Sequence, residues 1–271
     1  MALKAIALRH DLCVAYAGRA EDALEAINAL PATTDVPLAL DLVEKMLLEA
    51  HEKGEQQTDF LVAASGPRAS LSKISEGGIT RHQRAFLGSV EAYDHFHRVY
   101  VENTDPDLTP AQQLGAQLES AMEQVIEDPS DETVNGLCVR LASDYGGFRY
   151  LGSTVLLDAH VEIAAGAEPG VVYPIRFAGT AEGAHRYAIS GPAEAGIGAL
   201  AIYMQPGNLG LLLYPKASLY PIQVTDVTHK DFFTWVREEH GIKLEKTPEL
   251  IPVEGHHPFI FRIEGAEGDG S

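Results

Sequence analysis

Three ionisable side chains occupy alternate positions in the stretch "LLDAHVEI" of this 271-residue chain. On a strand, Asp158, His160 and Glu162 would all leave the same face, because successive side chains point to opposite faces. Carboxylate and imidazole groups are common ligands of divalent metals. A solvated polar face opposite four apolar residues explains the pattern as well, and a metal would need a further ligand from elsewhere. The sequence therefore predicts no metal and no cofactor, with these three residues as the only candidates for metal binding.

The first quarter of the chain predicts strands and helices that could position such groups. Strands Leu3–Leu8 and Leu12–Ala17 flank the polar turn Arg9-His10-Asp11, which predicts a hairpin. A helix follows from Glu21, and the two prolines of "PATTDVP" separate it from a second helix beginning at Leu38 and ending near His51. A second hairpin is predicted around Gly66-Pro67-Arg68, with strands Thr58–Ser65 and Ala69–Ser75.

The predicted secondary structure changes from mostly helical to mostly β-strand near residue 147. Before it, helical spacing predicts helices at Val90–Val101, within "TPAQQLGAQLESAMEQVIED" and at Glu132–Ala142. After it, "THKDFFTWVREEHG" predicts a helix with a Thr start and a Gly stop, and the acidic tail "EGAEGDGS" is predicted to be disordered. We divide the chain into 1–147, a β-rich part 148–244 and an extension 245–271. The predicted later strands are Tyr150–Leu157, Val171–Phe177, His185–Ile189, Ala199–Met204 and Gly210–Tyr214.

The charge and composition exclude several classes of partner. The formal net charge is -19, so the average surface repels nucleic-acid phosphates and anionic lipid. We find neither a signal peptide nor an apolar run long enough to span a membrane. The two cysteines, Cys13 and Cys138, each have apolar neighbours, which favours buried thiols in a reducing compartment. These features predict a cytoplasmic protein that binds neither nucleic acid nor membrane.

The order of these elements resembles that of the proteasome β-subunits and bacterial proteasome-like peptidases, within the N-terminal-nucleophile (Ntn) hydrolases. In "KAIALRHDLCVAYAGRAEDALEAI", Lys4, the Tyr16-Ala17-Gly18 step and Ala23 match the family's pattern. The stretches "DFLVAASGPRASLSKISEGG", "RAFLGSVEAYDHF" and "ETVNGLCVRLASD" resemble its second hairpin, its Gly-Ser turn and a later helix. The resemblance covers about residues 3 to 145.

The resemblance implies an α+β fold, an αββα sandwich with a β-rich C-terminal continuation, and a set of candidate catalytic residues. An N-terminal nucleophile uses its own amine as general base beside a lysine, and backbone N–H groups stabilise the oxyanion. By resemblance, Lys4, Ser89 and Asp144 are the candidates. Each also has a structural explanation: an exposed lysine on an edge strand, an N-cap of the following helix, and an exposed acid after a helix.

The family's nucleophile-bearing hairpin, which precedes the lysine strand, has no counterpart in this sequence. Removal of Met1 would leave Ala2, which has no nucleophilic atom. Three interpretations remain open: an inactive proteasome-like subunit or scaffold, a late-start version of an active peptide or amide hydrolase, or a purely architectural likeness. The expected partners are further copies or another subunit and, if the protein is active, a peptide substrate. An unpaired edge at Leu3–Leu8 would allow a strand from a partner to pair there.

Overall fold

The computed structural model confirms a mixed α+β fold. It describes residues 2–31, 39–67, 69–102, 117–118, 120–122, 124–126, 128, 139–144, 147–151, 154–157, 162–165, 173–176, 185–205, 207–246, 250–252 and 259–261. Within these ranges the helices are α1 (Ala20–Asn28), α2 (Leu40–Lys53), α3 (Val90–Glu102) and α4 (His229–His240). Further helical residues lie between 117 and 126, within the predicted proline-led helix.

The described strands form two larger sheets and three two-stranded ones. The first sheet has the order β1-β2-β3-β4-β5, and the second has the order β14-β13-β12-β11-β15, with β8 also paired to β11. The pairs β6/β7, β9/β10 and β16/β17 complete the pattern. The strands are β1 (Ala5–Arg9), β2 (Leu12–Gly18), β3 (Thr58–Ala64), β4 (Ser70–Ser75), β5 (Gly78–His82), β6 (Arg140–Asp144), β7 (Gly147–Leu151), β8 (Thr154–Leu157), β9 (Glu162–Ala165), β10 (Tyr173–Arg176), β11 (His185–Pro192), β12 (Leu200–Met204), β13 (Leu209–Leu213), β14 (Ile222–Val224), β15 (Leu244–Lys246), β16 (Leu250–Pro252) and β17 (Phe259–Phe261).

Both predicted hairpins of the first sheet are confirmed. β1 pairs antiparallel with β2 and β3 with β4, and the β2/β3 pairing joins the two hairpins with Val14 opposite Val62. The sequence analysis missed β5, which extends the sheet after the turn at Glu76-Gly77. This strand has an exposed, largely polar sequence, so it lacks the apolar alternation on which strand prediction depends.

The helices are amphipathic, as their spacing predicts. α1 buries Ala23, Leu24 and Ile27, and both α1 and α2 pack against the first sheet. α4 begins at the predicted Thr228, whose hydroxyl accepts a hydrogen bond from the Asp231 N–H over 3.2 Å. None of the helices in the described ranges is both long and apolar enough to cross a membrane.

Two hydrophobic clusters organise the core around β12 and β13, which are buried along their whole length. On one face, Leu200, Ile202 and Met204 belong to a large cluster that also contains side chains of α1, α2 and the first sheet. On the other face, Tyr203 and neighbouring residues pack with Phe232 of α4. Strands covered on both faces have almost continuously apolar sequences, which explains the runs "LAIYM" and "LGLLL". The large cluster includes residues from both sides of position 147.

One helix prediction is wrong in part. The predicted helix Glu132–Ala142 overlaps β6, in which Arg140, Leu141 and Ala142 are extended and pair with β7. Tertiary pairing with the neighbouring strand overrides the local helical spacing here. Residues 132–138 and the acidic tail lie outside the described residues.

The free thiol of Cys13 lies within the large cluster, as the sequence predicts. Burial raises the pKa of Cys13 to about 12. Because the thiolate is the reactive form, we expect iodoacetamide at about pH 8 to leave Cys13 unmodified in the folded protein and to alkylate it in urea. Peptide mass mapping distinguishes Cys13 from Cys138; rapid alkylation of Cys13 without urea would contradict this burial.

Candidate functional site

Lys4 lies immediately before β1 and contacts the aromatic ring of Tyr16. Its backbone carbonyl accepts a hydrogen bond from the Tyr16 N–H over 3.0 Å, which brings the two residues opposite each other. The Lys4 Nζ lies 4.6 Å from the centroid of the Tyr16 ring, a cation–π distance. Burial of part of the side chain lowers the pKa of Lys4. The contact holds the ammonium against an apolar ring at the start of β1.

Tyr150 caps the outer edge of β1. Its hydroxyl donates to the Ala5 carbonyl over 2.8 Å and accepts from the Ala7 N–H over 3.2 Å. The Lys4 carbonyl points toward β2, and the backbone groups of successive residues in a strand point to alternate sides. The hydrogen-bonding groups of Ala5 and Ala7 therefore point away from β2, where a further strand would bind. Burial raises the pKa of Tyr150, which keeps the phenol in the neutral form needed to donate. A strand added at this edge has to displace Tyr150.

The turn between β1 and β2 is enclosed by the same part of the chain. The Phe148 N–H donates to the His10 carbonyl over 2.6 Å, and the Gly196 N–H donates to the Phe148 carbonyl over 3.2 Å. Gly147 and Gly196 both have positive φ, and a side chain on either would collide with the His10 backbone. Glycine is therefore required at both positions. Together with Tyr150, these contacts hold β1 at its edge and at its end.

Ser89 caps α3. Its hydroxyl accepts a hydrogen bond from the Ala92 N–H over 3.1 Å and donates to the Glu91 carboxylate over 3.0 Å. The structural explanation for Ser89 thus has direct contacts, and none of the described hydrogen bonds or ion pairs joins Ser89 to Lys4. The assignment of Ser89 to an oxyanion site stays a prediction.

The remaining candidates are described in part or not at all. Asp144 is the last residue of β6, opposite Gly147, with only its backbone described, so it belongs to a strand and does not follow a helix as predicted. Asp158 and His160 lie outside the described residues, and Glu162 begins β9 opposite Arg176. In the part of the chain that is described, no group of three His, Cys, Asp or Glu side chains is placed to hold a metal ion.

Sequence analysis missed a buried polar cluster between α2 and the first sheet. The Glu44 side chain is only 3% exposed and accepts a hydrogen bond from the buried Ser72 hydroxyl over 2.6 Å. Arg81 of β5 donates through both terminal nitrogens to the Glu44 carboxylate, one of them over 2.8 Å. The available signal was Glu44 itself, which stands seven residues before His51 on the helix face that carries Leu47. The cluster fastens the outermost strand to α2.

His51 is a buried residue in the last turn of α2. His51 Nδ1 donates to the Thr58 carbonyl over 2.7 Å, which assigns the proton to that nitrogen because a carbonyl only accepts. Its Nδ1 also lies 3.6 Å from the Asp59 carboxylate. The contacts of His51 tie α2 to the start of β3.

An open groove of about 480 Å³ lies between α1 and α2. Small side chains such as Ala26 and Ala50 line it together with charged residues of both signs, including Glu25 and Lys53. Neither Lys4 nor Ser89 contributes to its walls. The groove therefore does not bring the predicted catalytic residues together.

Comparison with models of known protein families gives no match, and no curated protein sequence matches the chain. The proteasome-like resemblance thus depends on the residues and element order given above.

We expect Tyr150→Phe to destabilise the protein by about 1 to 3 kcal/mol, the cost of leaving buried backbone groups without a partner. The lost hydroxyl serves both Ala5 and Ala7. Urea unfolding followed by circular dichroism measures the change. A free energy of unfolding equal to that of the wild type would contradict the proposed cap.

Tyr16→Phe is the matched control, because the Tyr16 hydroxyl is buried and has no hydrogen-bond partner among the described residues. Its removal should leave stability at neutral pH within about 0.5 kcal/mol of the wild type or raise it.

Burial raises the pKa of Tyr16 from 10.0 to about 12. The neutral phenol is thus favoured in the folded state, and stability falls as the pH rises across that interval. Tyr16→Phe should remove this part of the alkaline loss.

Replacing Arg81 should show how much the ion pair with the buried Glu44 carboxylate contributes to stability. We expect Arg81→Ala to cost about 3 kcal/mol, because it leaves the Glu44 charge buried with Ser72 as its remaining described partner. The double variant Arg81→Ala/Glu44→Gln should recover part of that loss, since the charge is gone. Urea unfolding of both variants tests this, and a double variant less stable than Arg81→Ala would contradict the explanation.

Proposed function

We propose that this protein is a proteasome-like subunit that serves as a non-catalytic scaffold or binding subunit in an assembly. The proposal includes the αββα sandwich implied by the resemblance. The hydrophobic cluster shared by the two larger sheets, with α4 on the outer face of the second sheet, supports that arrangement.

The observation that carries the proposal is the cap on β1. A strand that delivered a nucleophile to Lys4 along this edge, from a preceding segment or from another chain, would pair with the groups of Ala5 and Ala7. Tyr150 already binds both. The phenol is buried and its contacts join residues far apart in sequence, so displacing it means opening the packing around β7.

The contacts of two candidate residues agree with a structural role. Lys4 packs on the Tyr16 ring, and the Ser89 hydroxyl is engaged with the first turn of α3. A catalytic lysine acts on a neighbouring nucleophile and a base. The described contacts of Lys4 include neither.

The competing function, peptide hydrolysis, is tested with the full chain. We expect no turnover of fluorogenic peptides and no mass adduct after incubation with a peptide vinyl sulfone, because a nucleophile next to Lys4 is required for either reaction. Intact mass spectrometry and peptide mapping measure the adduct, with an active proteasome as positive control.

A stoichiometric adduct that is lost in Lys4→Ala would overturn the non-catalytic proposal and restore the peptidase interpretation. An adduct at Cys13 or Cys138 that persists in Lys4→Ala reports thiol alkylation and leaves the proposal standing.

A further inference from the structure

Two exposed apolar side chains lie at the two ends of α3. Among the described residues, the large apolar side chains that are exposed are Leu42, Ile79, Val90, Val101 and Leu118. Val90 and Val101, at 56% and 57% exposure, are the two most exposed of these, and both belong to α3. Leu118 lies in the helical residues that follow.

The exposed face of α3 has the spacing of a coiled-coil seam. Val90, Asp94, His97 and Val101 are all exposed and follow one another at intervals of four, three and four residues. At 3.6 residues per turn these four positions fall within an arc of about 60° over a length of about 17 Å. This is the alternation of a and d positions through which paired helices contact each other.

We propose that this seam binds the same seam of a second copy of the chain, with the two α3 helices antiparallel. Antiparallel pairing sets each a position opposite a d position. Val90 then faces the partner's Val101, and Asp94 faces the partner's His97, each contact occurring twice about a two-fold axis. This deepens the assembly role proposed above, on which it rests, by naming the surface and the partner.

Charge selects this orientation over the parallel one. In the antiparallel register the Asp94 carboxylate lies opposite the partner's His97 and next to the partner's Arg98, one residue further along. In a parallel register Asp94 would face a second Asp94, and like charges in contact are unfavourable. Two polar residues at the centre of the seam, between two valines, specify the register as isolated polar a positions do in coiled coils.

The opposite side of α3 is already engaged with its own chain. Ala92 and Val99 are buried, and His95 Nδ1 lies 3.2 Å from the Asp128 carboxylate. Beside the seam, the Tyr93 ring lies 6.2 Å from the His97 ring and stacks on Phe86 with centroids 3.9 Å apart and planes within 8°. α3 is thus held on the side opposite the seam and flanked by Tyr93, while the side chains of the four seam positions are exposed.

The test is a charge exchange across the seam, read by light scattering and sedimentation velocity over a range of concentrations. Wild type should associate to twice the 29.2 kDa chain mass or an even multiple of it. Asp94→Lys and His97→Glu should each weaken association about tenfold or more, because the first sets a lysine next to the partner's Arg98 and the second sets a carboxylate opposite the partner's Asp94, each twice. The double variant Asp94→Lys/His97→Glu restores opposite charges and should return to within about threefold of wild type.

Val90→Glu and Leu42→Glu form a matched pair of exposed apolar replacements, on α3 and on α2. We expect the first to weaken association and the second to leave it unchanged; circular dichroism confirms that every variant is folded. A monomeric wild type, single variants that associate normally, a double variant as weak as either single one, or equal effects of Val90→Glu and Leu42→Glu would each overturn the proposal. If the protein associates but no α3 variant changes that association, the proposed interface is wrong and the scaffold role stands. A stoichiometric vinyl sulfone adduct that is lost in Lys4→Ala would instead overturn the scaffold role and leave the α3 interface standing.

Discussion

One phenolic hydroxyl closes the outer edge of the first sheet against the later part of the chain. Tyr150 bridges Ala5 and Ala7 as a neighbouring strand would, donating to one carbonyl and accepting from one N–H. Buried backbone groups without partners are costly, so the edge needs this cap once the core has closed over it. The glycines that allow β7 and the segment before β12 to approach the His10 turn serve the same contact, since a side chain at Gly147 or Gly196 would hold the chain away.

The two edges of the first sheet are stabilised by different means. β1 is enclosed by later residues, while β5 is exposed along most of its length and is anchored through Arg81 to Glu44 of α2. The ion pair crosses from an exposed guanidinium to a buried carboxylate, so its contribution depends on keeping the carboxylate paired. A charged residue pointing inward from an edge strand also disfavours pairing with other chains. Association through α3 fits this arrangement because it uses helix side chains and leaves both sheet edges as they are.

Local sequence predicted most of the elements but little of what brings them together. The two hairpins, α1, α2, α3 and α4 with its Thr228 cap follow from apolar spacing and turn residues, which act over a few positions. β5 and β6 were missed because one is polar and the other depends on pairing with β7. The Tyr150 cap and the Glu44 cluster join residues separated by 28 to 145 positions, and single-sequence patterns hold no information on such contacts. Lys4, Ser89 and Asp144 came from family resemblance, and the spatial relation among them was beyond any local pattern.

The Tyr150 cap also has a consequence for the newly synthesised chain. The acceptor and donor on β1 precede their partner by 143 to 145 residues. At about 5 to 20 residues per second, a ribosome needs on the order of ten seconds to make that stretch. During this interval the first sheet can form with an open β1 edge, which is a template for pairing with neighbouring nascent chains. The protein is therefore most exposed to misassembly while it is still being translated, and a chaperone bound at that stage would protect the edge that Tyr150 later closes.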